Sequence, residues 1–294
     1  MSLLEEALMG VILGVIGVLG SVLIGFVGPG GPVGVLLQPY EFLVIAGGIG
    51  FTVLISQPGP VLKAIMPGVI GAIKGSGVSK ALYKDLLGLM GIVFDTMRRE
   101  GVLGIEGDIS NPHQSAKFNK YPLAAHDHHI MDTFCSALRL FVDGVVNAFE
   151  LDRLLDSEIE THHEEALLAP TAIKTMADSF PAMGIVAAVL GIIITMQYLD
   201  GPPTEIGHHV GAALVGTMLG IFLSYGLVGP VGTKMEHNVR DVTNLLKCVK
   251  AGLVSFAGGA PPAVALEFAR KTIPSAFRPT AEELEEIIKE SKKK

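Results

Sequence analysis

The residues best placed to do chemistry in this chain are uncharged and spaced by whole helical turns. Pro181, Ala188 and Thr195 recur every seven residues inside a stretch, 179–199, that holds no Asp, Glu, Lys or Arg. Thr217 and Ser224 repeat the spacing in a second such stretch, 206–233, with Pro230 near its end. Seven residues is two helical turns, so each set lies roughly on one helix face. Hydroxyls on one face can hydrogen-bond a protonated acid or help ligate a stripped cation. The plainer use of a membrane hydroxyl is a bond to its own helix backbone. Each proline removes a backbone hydrogen bond and can bend its helix, which makes Pro181 and Pro230 candidate hinges. A transmembrane ion path normally contains an ionisable group. Neither stretch offers an Asp, Glu, Lys or Arg, so if these helices line an ion path, a partner must supply the charge-carrying group.

Two further groups carry charge. Arg98, Arg99 and Glu100 lie at a helix end, followed by Glu106 and Asp108 in a turn-rich stretch. Such a cluster is either a solvated helix terminus or a docking surface that sets partner register by complementary charge. The nine histidines include His126, His128 and His129 and the run His162-His163-Glu164. His126 and His129 make a workable i, i+3 pair, but no third and fourth ligand follow at a metal-site spacing. His208 and His209 fall at an interface position where they could tune proton uptake. There is no nucleophile elbow, HExxH, nucleotide-binding loop or dinucleotide fingerprint. The Gly28-Pro29-Gly30-Gly31-Pro32 turn is a loop breaker, not a phosphate loop. Lys and Arg are outnumbered by Asp and Glu, 22 to 29, and no basic stripe with interleaved aromatics appears, so nucleic-acid binding is unsupported. The expectation is a protein that is not an enzyme and needs no cofactor or resident metal.

The elements that must position these residues follow from hydropathy. The chain has 294 residues, 49% of them hydrophobic, and a mean hydropathy of +0.51. That is too apolar for an ordinary soluble domain and too charged for a bare membrane bundle. About 20 apolar residues cross the hydrocarbon core, and four stretches qualify: 7–28, 39–58, 179–199 and 208–231. The first lacks the basic start and cleavage site of a signal peptide and reads as a retained helix. The short links between spans carry no Lys or Arg, and all 22 basic residues lie in the two long segments. The positive-inside rule then puts both hairpin tips outside and both termini in the cytoplasm. Cys135 and Cys248 read as free thiols in a reducing compartment.

The expected fold is all-α, with four spans, a large helical cytoplasmic domain between spans two and three, and a helical C-terminal tail. The divisions fall at 1–61, 62–178, 179–232 and 233–294. Within the middle segment, Ser79 predicts an N-cap for a helix ending at Gly101, with Leu82, Leu86, Leu89, Met90, Val93 and Met97 on one face. Helices near 126–148 and 150–168 stop before Pro170. A long helix then leads into span three, and another runs from span four to about 257. Thr280 and Glu283 predict a capping box for a last helix. Gly10, Gly14, Gly17, Gly20, Gly25 and Gly28 punctuate the first helix. Such small residues let helices pack closely, within one subunit or between subunits.

Here the residues resemble a known family. Asp178-Ser-Phe-Pro-Ala-Met-Gly-Ile-Val-Ala-Ala-Val-Leu-Gly191 resembles the span-three signature of the MotA/TolQ/ExbB proton-channel superfamily. Val215-Gly-Thr-Met-Leu-Gly-Ile221 with Ser224-Tyr-Gly-Leu-Val-Gly-Pro230 resembles its span four. Four spans, the loop Met97-Arg-Arg-Glu-Gly101 to Gly104-Ile-Glu-Gly-Asp-Ile-Ser-Asn-Pro112, the stretch from Leu154 to Glu165, and the region from Cys248 to Lys271 narrow the likeness to the MotA branch, the A subunits of bacterial flagellar stators. The resemblance covers nearly the whole chain.

The resemblance implies a multi-pass inner-membrane protein that converts ion flow into torque. It implies that Pro181 and Pro230 couple ion passage to conformational change and that Thr217 lines the path. Arg98 and Glu106 would engage the rotor protein FliG, with Arg99 an alternative to Arg98. The implied assembly is five copies of the chain around two MotB-like B subunits, each bringing a membrane aspartate and a peptidoglycan-binding domain, with membrane lipid around them. Sodium-using relatives carry a threonine at the position of Ala188, so the implied ion is H+ before Na+. The other branch of the superfamily, ExbB and TolQ, would make the chain an energiser of outer-membrane processes.

Overall fold

The computed structural model describes residues 3–292, with side chains from Leu8 onward. Among them the regular structure is helical throughout. The chain divides into two compact units, residues 1–75 with 166–238, and residues 76–165 with 239–294. Four helical segments are long and apolar enough to cross a membrane.

The spanning unit begins with α1 (Leu3–Val27). Gly30 closes the following turn at φ +99°, a conformation open to glycine. The second span, Val33–Ser56, is not a uniform helix. After a 3₁₀ turn it comprises α2 (Pro39–Phe42), a π-helical turn (Leu43–Gly47) and α3 (Gly48–Ser56). Pro58 then opens α4 (Gly59–Lys74). Sequence reading passed over this helix, because Pro67 and several glycines mask its amphipathic pattern. The other half of the unit comes from α9 and its successors, numbered in chain order below.

The second unit is built on α5 (Lys80–Glu100). The Ser79 hydroxyl accepts from Leu82 N at 3.0 Å, and Gly101 ends the helix at φ +81°. Both were legible in the sequence, because each satisfies backbone groups the helix end leaves open. Around α5 pack α6 (Glu106–Ser110), α7 (Pro122–Ala125), α8 (His128–Val142) and the first turns of α9 (Ala148–Met196). The core is made of fully buried Tyr83, Leu86, Leu89, Met90, Phe94, Phe118 and Phe134. Phe94 stacks on Phe256 with ring centroids 4.4 Å apart. Each large side chain buried here contributes roughly 1.5–3 kcal/mol.

Helix α9 is 49 residues long and contains both Pro170 and Pro181. The expected stop before Pro170 does not occur. An interior proline costs about 3 kcal/mol, but Ala169 and Ile173 beside it are buried against Ala72 and Met235. That packing offsets the missing hydrogen bond. Helix α10 (Pro203–Phe222) leads into a second π-helical turn, Leu223–Val228, and then α11 (Gly229–Ala257). Pro230 explains this turn: it has no N–H, and its ring would collide with the carbonyl four residues back. A wider turn relieves the collision, and such turns recur at functional sites.

Gly259, at φ +90°, separates α11 from α12 (Pro262–Thr272), and α13 (Ala281–Lys292) closes the chain. The capping box is formed: Glu283 N donates to Thr280 Oγ1 at 3.2 Å, and Thr280 N to Glu283 Oε2 at 2.7 Å. The same carboxylate meets Lys80 and Lys84, each at 2.8 Å, fixing α13 on α5. These partners hold the Glu283 carboxyl down at about 2.

Both cysteines are free, as expected. Cys248 is fully buried and its thiol is pushed up to about 12, Cys135 to about 11, chiefly by burial. Thiols that resist ionisation are poor nucleophiles and poor metal ligands.

Candidate ion pathway and docking loop

The charge-free stretches of α9 and α10 meet along a seam of small residues. A methyl group on Gly220 would lie 2.6 Å from the Phe180 carbonyl oxygen and 2.9 Å from Gly184 Cα. One on Gly184 would lie 3.0 Å from the Gly216 oxygen, and one on Gly191 2.9 Å from Ala213 Cβ. All but Ala213 Cβ are backbone atoms, and a Cβ has no rotamer to change, so none of these contacts can be relieved by side-chain rotation. Small residues at such crossings replace the hydrophobic drive that lipid cannot provide. Sequence reading quoted these glycines within its motifs but assigned close packing to α1 instead. There, a methyl on Gly10, Gly14, Gly17, Gly20 or Gly25 would meet nothing of the chain within 4 Å.

The candidate residues fall around this seam. Pro181, Ala188 and Thr217 are half-buried, and Thr195 is buried. The Thr195 hydroxyl donates to its own helix at Gly191 O, 2.8 Å away, so it serves its helix backbone. Among the described residues Thr217 makes no such bond. Ser224, inside the second π-helical turn, is 1% exposed and its hydroxyl has no partner. Pro230 is exposed and borders a cleft of about 660 Å³ lined by Asp178, Ser224, Thr233, Lys234 and His237. Beside the cleft, Lys174 pairs with Glu236 at 2.6 Å and ties α9 to α11. One carboxylate that sequence reading left out reaches the seam. Glu41 of α2 lies with its Cγ 3.4 Å from where a methyl on Gly216 would sit.

In the second unit the charged loop resolves into committed and uncommitted groups. Arg99 is paired with Asp95 at 3.0 Å. Asp108 takes Lys117 at 2.9 Å and the Ser115 hydroxyl at 2.7 Å. Arg98 and Glu106 are exposed and, among the described residues, enter no ion pair. Between them Leu103 is 69% exposed. The loop is braced by Lys117 Nζ, which donates to Gly104 O at 3.2 Å. It therefore presents a free cation, an apolar residue and a free carboxylate on a rigid support.

The histidines pair differently from the sequence expectation. His129 meets His162, not His126, with ring nitrogens 3.2 Å apart. Among the described residues no three His, Cys, Asp or Glu side chains form a group that could hold a metal ion. Burial, then the neighbouring His129, pulls His162 below its usual value near 6.5. The unfolded chain therefore binds more protons just below that value, and stability falls as pH drops from about 6.5. The detergent-solubilised protein should lose thermal stability between pH 7 and 5.5, and His162→Gln should flatten that slope. An equal slope in both proteins would remove His162 as its source.

These features define a class first: a multi-pass helical membrane protein with a tightly packed hairpin of small residues. The profile of the MotA/TolQ/ExbB proton channel family matches residues 125–247, and that of the motility protein A N-terminal region matches residues 12–101. Motility protein A of Salmonella typhimurium is 38% identical over 280 residues, 95% of each chain. Chemotaxis protein LafT of Vibrio parahaemolyticus is 37% identical over 278 residues, 95% of this chain and 98% of that one. The fold matches the solved MotAB of C. jejuni with a TM-score of 0.77 at 22% identity, over 93% of this chain and 99% of that one. The flagellar MotAB stator complex from Bacillus subtilis matches at 0.74 and 23%, over 91% and 96%. The chain belongs to the motility protein A family of the MotA/TolQ/ExbB proton channels.

Proposed function

We propose that this chain is the A subunit of a flagellar stator in the bacterial inner membrane, five copies surrounding B subunits and converting ion flow into torque. The observation that carries the reading is the α9–α10 seam. It is tightly packed, has no Asp, Glu, Lys or Arg of its own in 179–199 or 206–233, and is flanked by Pro181 and by the π-helical turn at Pro230. It lies in a chain 38% identical to a motility protein A across 95% of both lengths. Such a path needs a carboxylate from elsewhere, and a B subunit with a membrane aspartate supplies it. A carboxylate in low dielectric has a raised pKa and is readily neutralised by a proton. Once neutral it loses most of its desolvation cost, and the ring of A subunits can move past it. Each charge crossing supplies roughly 2.3 kcal/mol per 100 mV. Pro181 and Pro230 are where the helices would bend, and Thr217 is the hydroxyl that would face the ion. Alanine at position 188 favours H+ over Na+.

In this reading the hairpin tips face outward and both termini the cytoplasm, where Arg98 and Glu106 meet the rotor protein. Cells lacking the gene should keep their filaments and fail to swim, and swimming of the complemented strain should survive replacement of Na+ by K+. Normal swimming of a strain with no second stator set would overturn the assignment. Ion conduction by the A subunit alone would overturn the argument from the missing carboxylate.

A further inference from the structure

We propose that Glu41 is a proton-binding group of this chain on the outer side of the ion path, taking protons from external water and passing them to the partner's carboxylate. The inference deepens the ion-path reading and rests on it.

Glu41 is the only Asp, Glu, Lys, Arg or His between Glu6 and Lys63. It stands within an apolar segment long enough to span a membrane, Val33–Ser56. Ionisable groups are costly there and are retained for function. A structural carboxylate in such a place would hold a cation or several N–H donors. Glu41 does neither: its Oε2 is sealed from solvent and has no hydrogen-bond partner, and no ion pair reaches it among the described residues. That oxygen's acceptor capacity is left unused, and buried acceptors are ordinarily satisfied.

Its position fits that exchange. The side chain enters the notch left by Gly216, where α10 faces Ala187 and Ala188 of α9. The next residue of α10 is Thr217, the hydroxyl assigned to the path. The placement is held from behind: Ile45 and Ile49, 0% and 1% exposed, lock the second span into a cluster with Phe180 and Ala187. The titratable residues of α10, namely Glu205, His208 and His209, precede Gly216 by two to three turns, toward the hairpin tip. The facing part of α9, from 179 to 196, carries no Asp, Glu, Lys, Arg or His, and Tyr198 lies in the turn after it. Below that tip, Glu41 is the carboxylate that meets α10 at Gly216.

The step balances without another reactant. A hydronium ion gives its proton to a Glu41 carboxylate oxygen, and water departs. The neutral acid then gives that proton to the partner's carboxylate, and the Glu41 carboxylate is restored.

The test is proton influx into vesicles from cells expressing the full chain with its B subunit, measured with a pH-sensitive dye over external pH 5.5 to 8.5. Glu41→Gln keeps the side chain's size and removes its titration, so influx should fall about tenfold or more and lose its external-pH dependence. Glu41→Asp should recover a good part of the rate with a shifted pH profile. Influx in E41Q equal to the parent at every pH would overturn the proposal. So would a loss that tracks disappearance of the assembled complex and is shared by E41D, since that assigns Glu41 to packing. A parent complex that carries no protons would overturn the ion-path reading itself, and this inference with it.

Discussion

Replacing Gly220 by valine is expected to abolish swimming and to remove most of the folded protein from the membrane. The argument is steric. Even the first added carbon would lie 2.6 Å from the Phe180 carbonyl oxygen and 2.9 Å from Gly184 Cα. Both are backbone atoms, so α9 and α10 must separate along the whole crossing. Overpacking a close-packed site costs about 1–3 kcal/mol when side chains can yield, and here none can. Separation would also displace Gly216 from Ala187 and Ala188. Gly14→Ala is the control. No atom of the chain lies within 4 Å of the added methyl, and alanine favours helix over glycine by up to about 1 kcal/mol. That variant should leave the melting temperature of the solubilised subunit level or slightly higher. If it lowers the yield of assembled ring instead, the α1 glycines pack between subunits. Retained melting temperature and motility in Gly220→Val would mean the seam is not the constraint described.

What the sequence made legible, and what it hid, divides along a physical line. The four spans, the Ser79 cap, the Gly101 stop and the Thr280–Glu283 capping box are local: each is decided by residues within one helix turn or one hydropathy window. The continuity of α9 through Pro170 is not local. It depends on Ala72 and Met235 packing against residues about a hundred and about sixty positions away, respectively. The same holds for the glycine seam, where Gly184 and Gly220 read as ordinary spacing until the helices are brought together. Glu41 stands on a different helix from the charge-free stretches of α9 and α10, so no pattern along those stretches points to it. Its relevance lies in a contact between α2 and α10 that no periodicity announces. The histidines teach the same point: the i, i+3 pair attracted notice, while the real neighbour of His129 lies 33 residues on. Signals at the π-helical turns were partly present, since Pro230 cannot continue a regular helix, but the form of the relief was not.

Reversing the charge at Arg98 is expected to stop swimming, whereas the same change at Arg99 should only slow it. The sequence offers two adjacent arginines, and the structure separates them by what each already touches. Arg99 is bound to Asp95 at 3.0 Å, one turn back on α5, so its charge is largely answered within the chain. Arg99→Glu would set two acids against each other at a helix end, a penalty of a few tenths of a kcal/mol. Arg98 has no such partner and stands exposed, with Leu103 and Glu106 completing the face. Close charge pairs across an interface couple by about 1.5 kcal/mol or more, which is above tenfold in engagement, and reversal turns attraction into repulsion. Tethered-cell torque should therefore fall by more than tenfold in Arg98→Glu and recover in part when the opposing acidic residue of the rotor protein is made basic. Glu106→Lys should behave in the same way toward a basic rotor residue. Because these groups are exposed, the effects should weaken as ionic strength rises and the screening length shortens. Torque lost equally in Arg98→Glu and Arg99→Glu, without rescue by the reversed rotor residue, would place the contact elsewhere. The braced loop would then be a solvated helix end, held by Lys117 for stability alone.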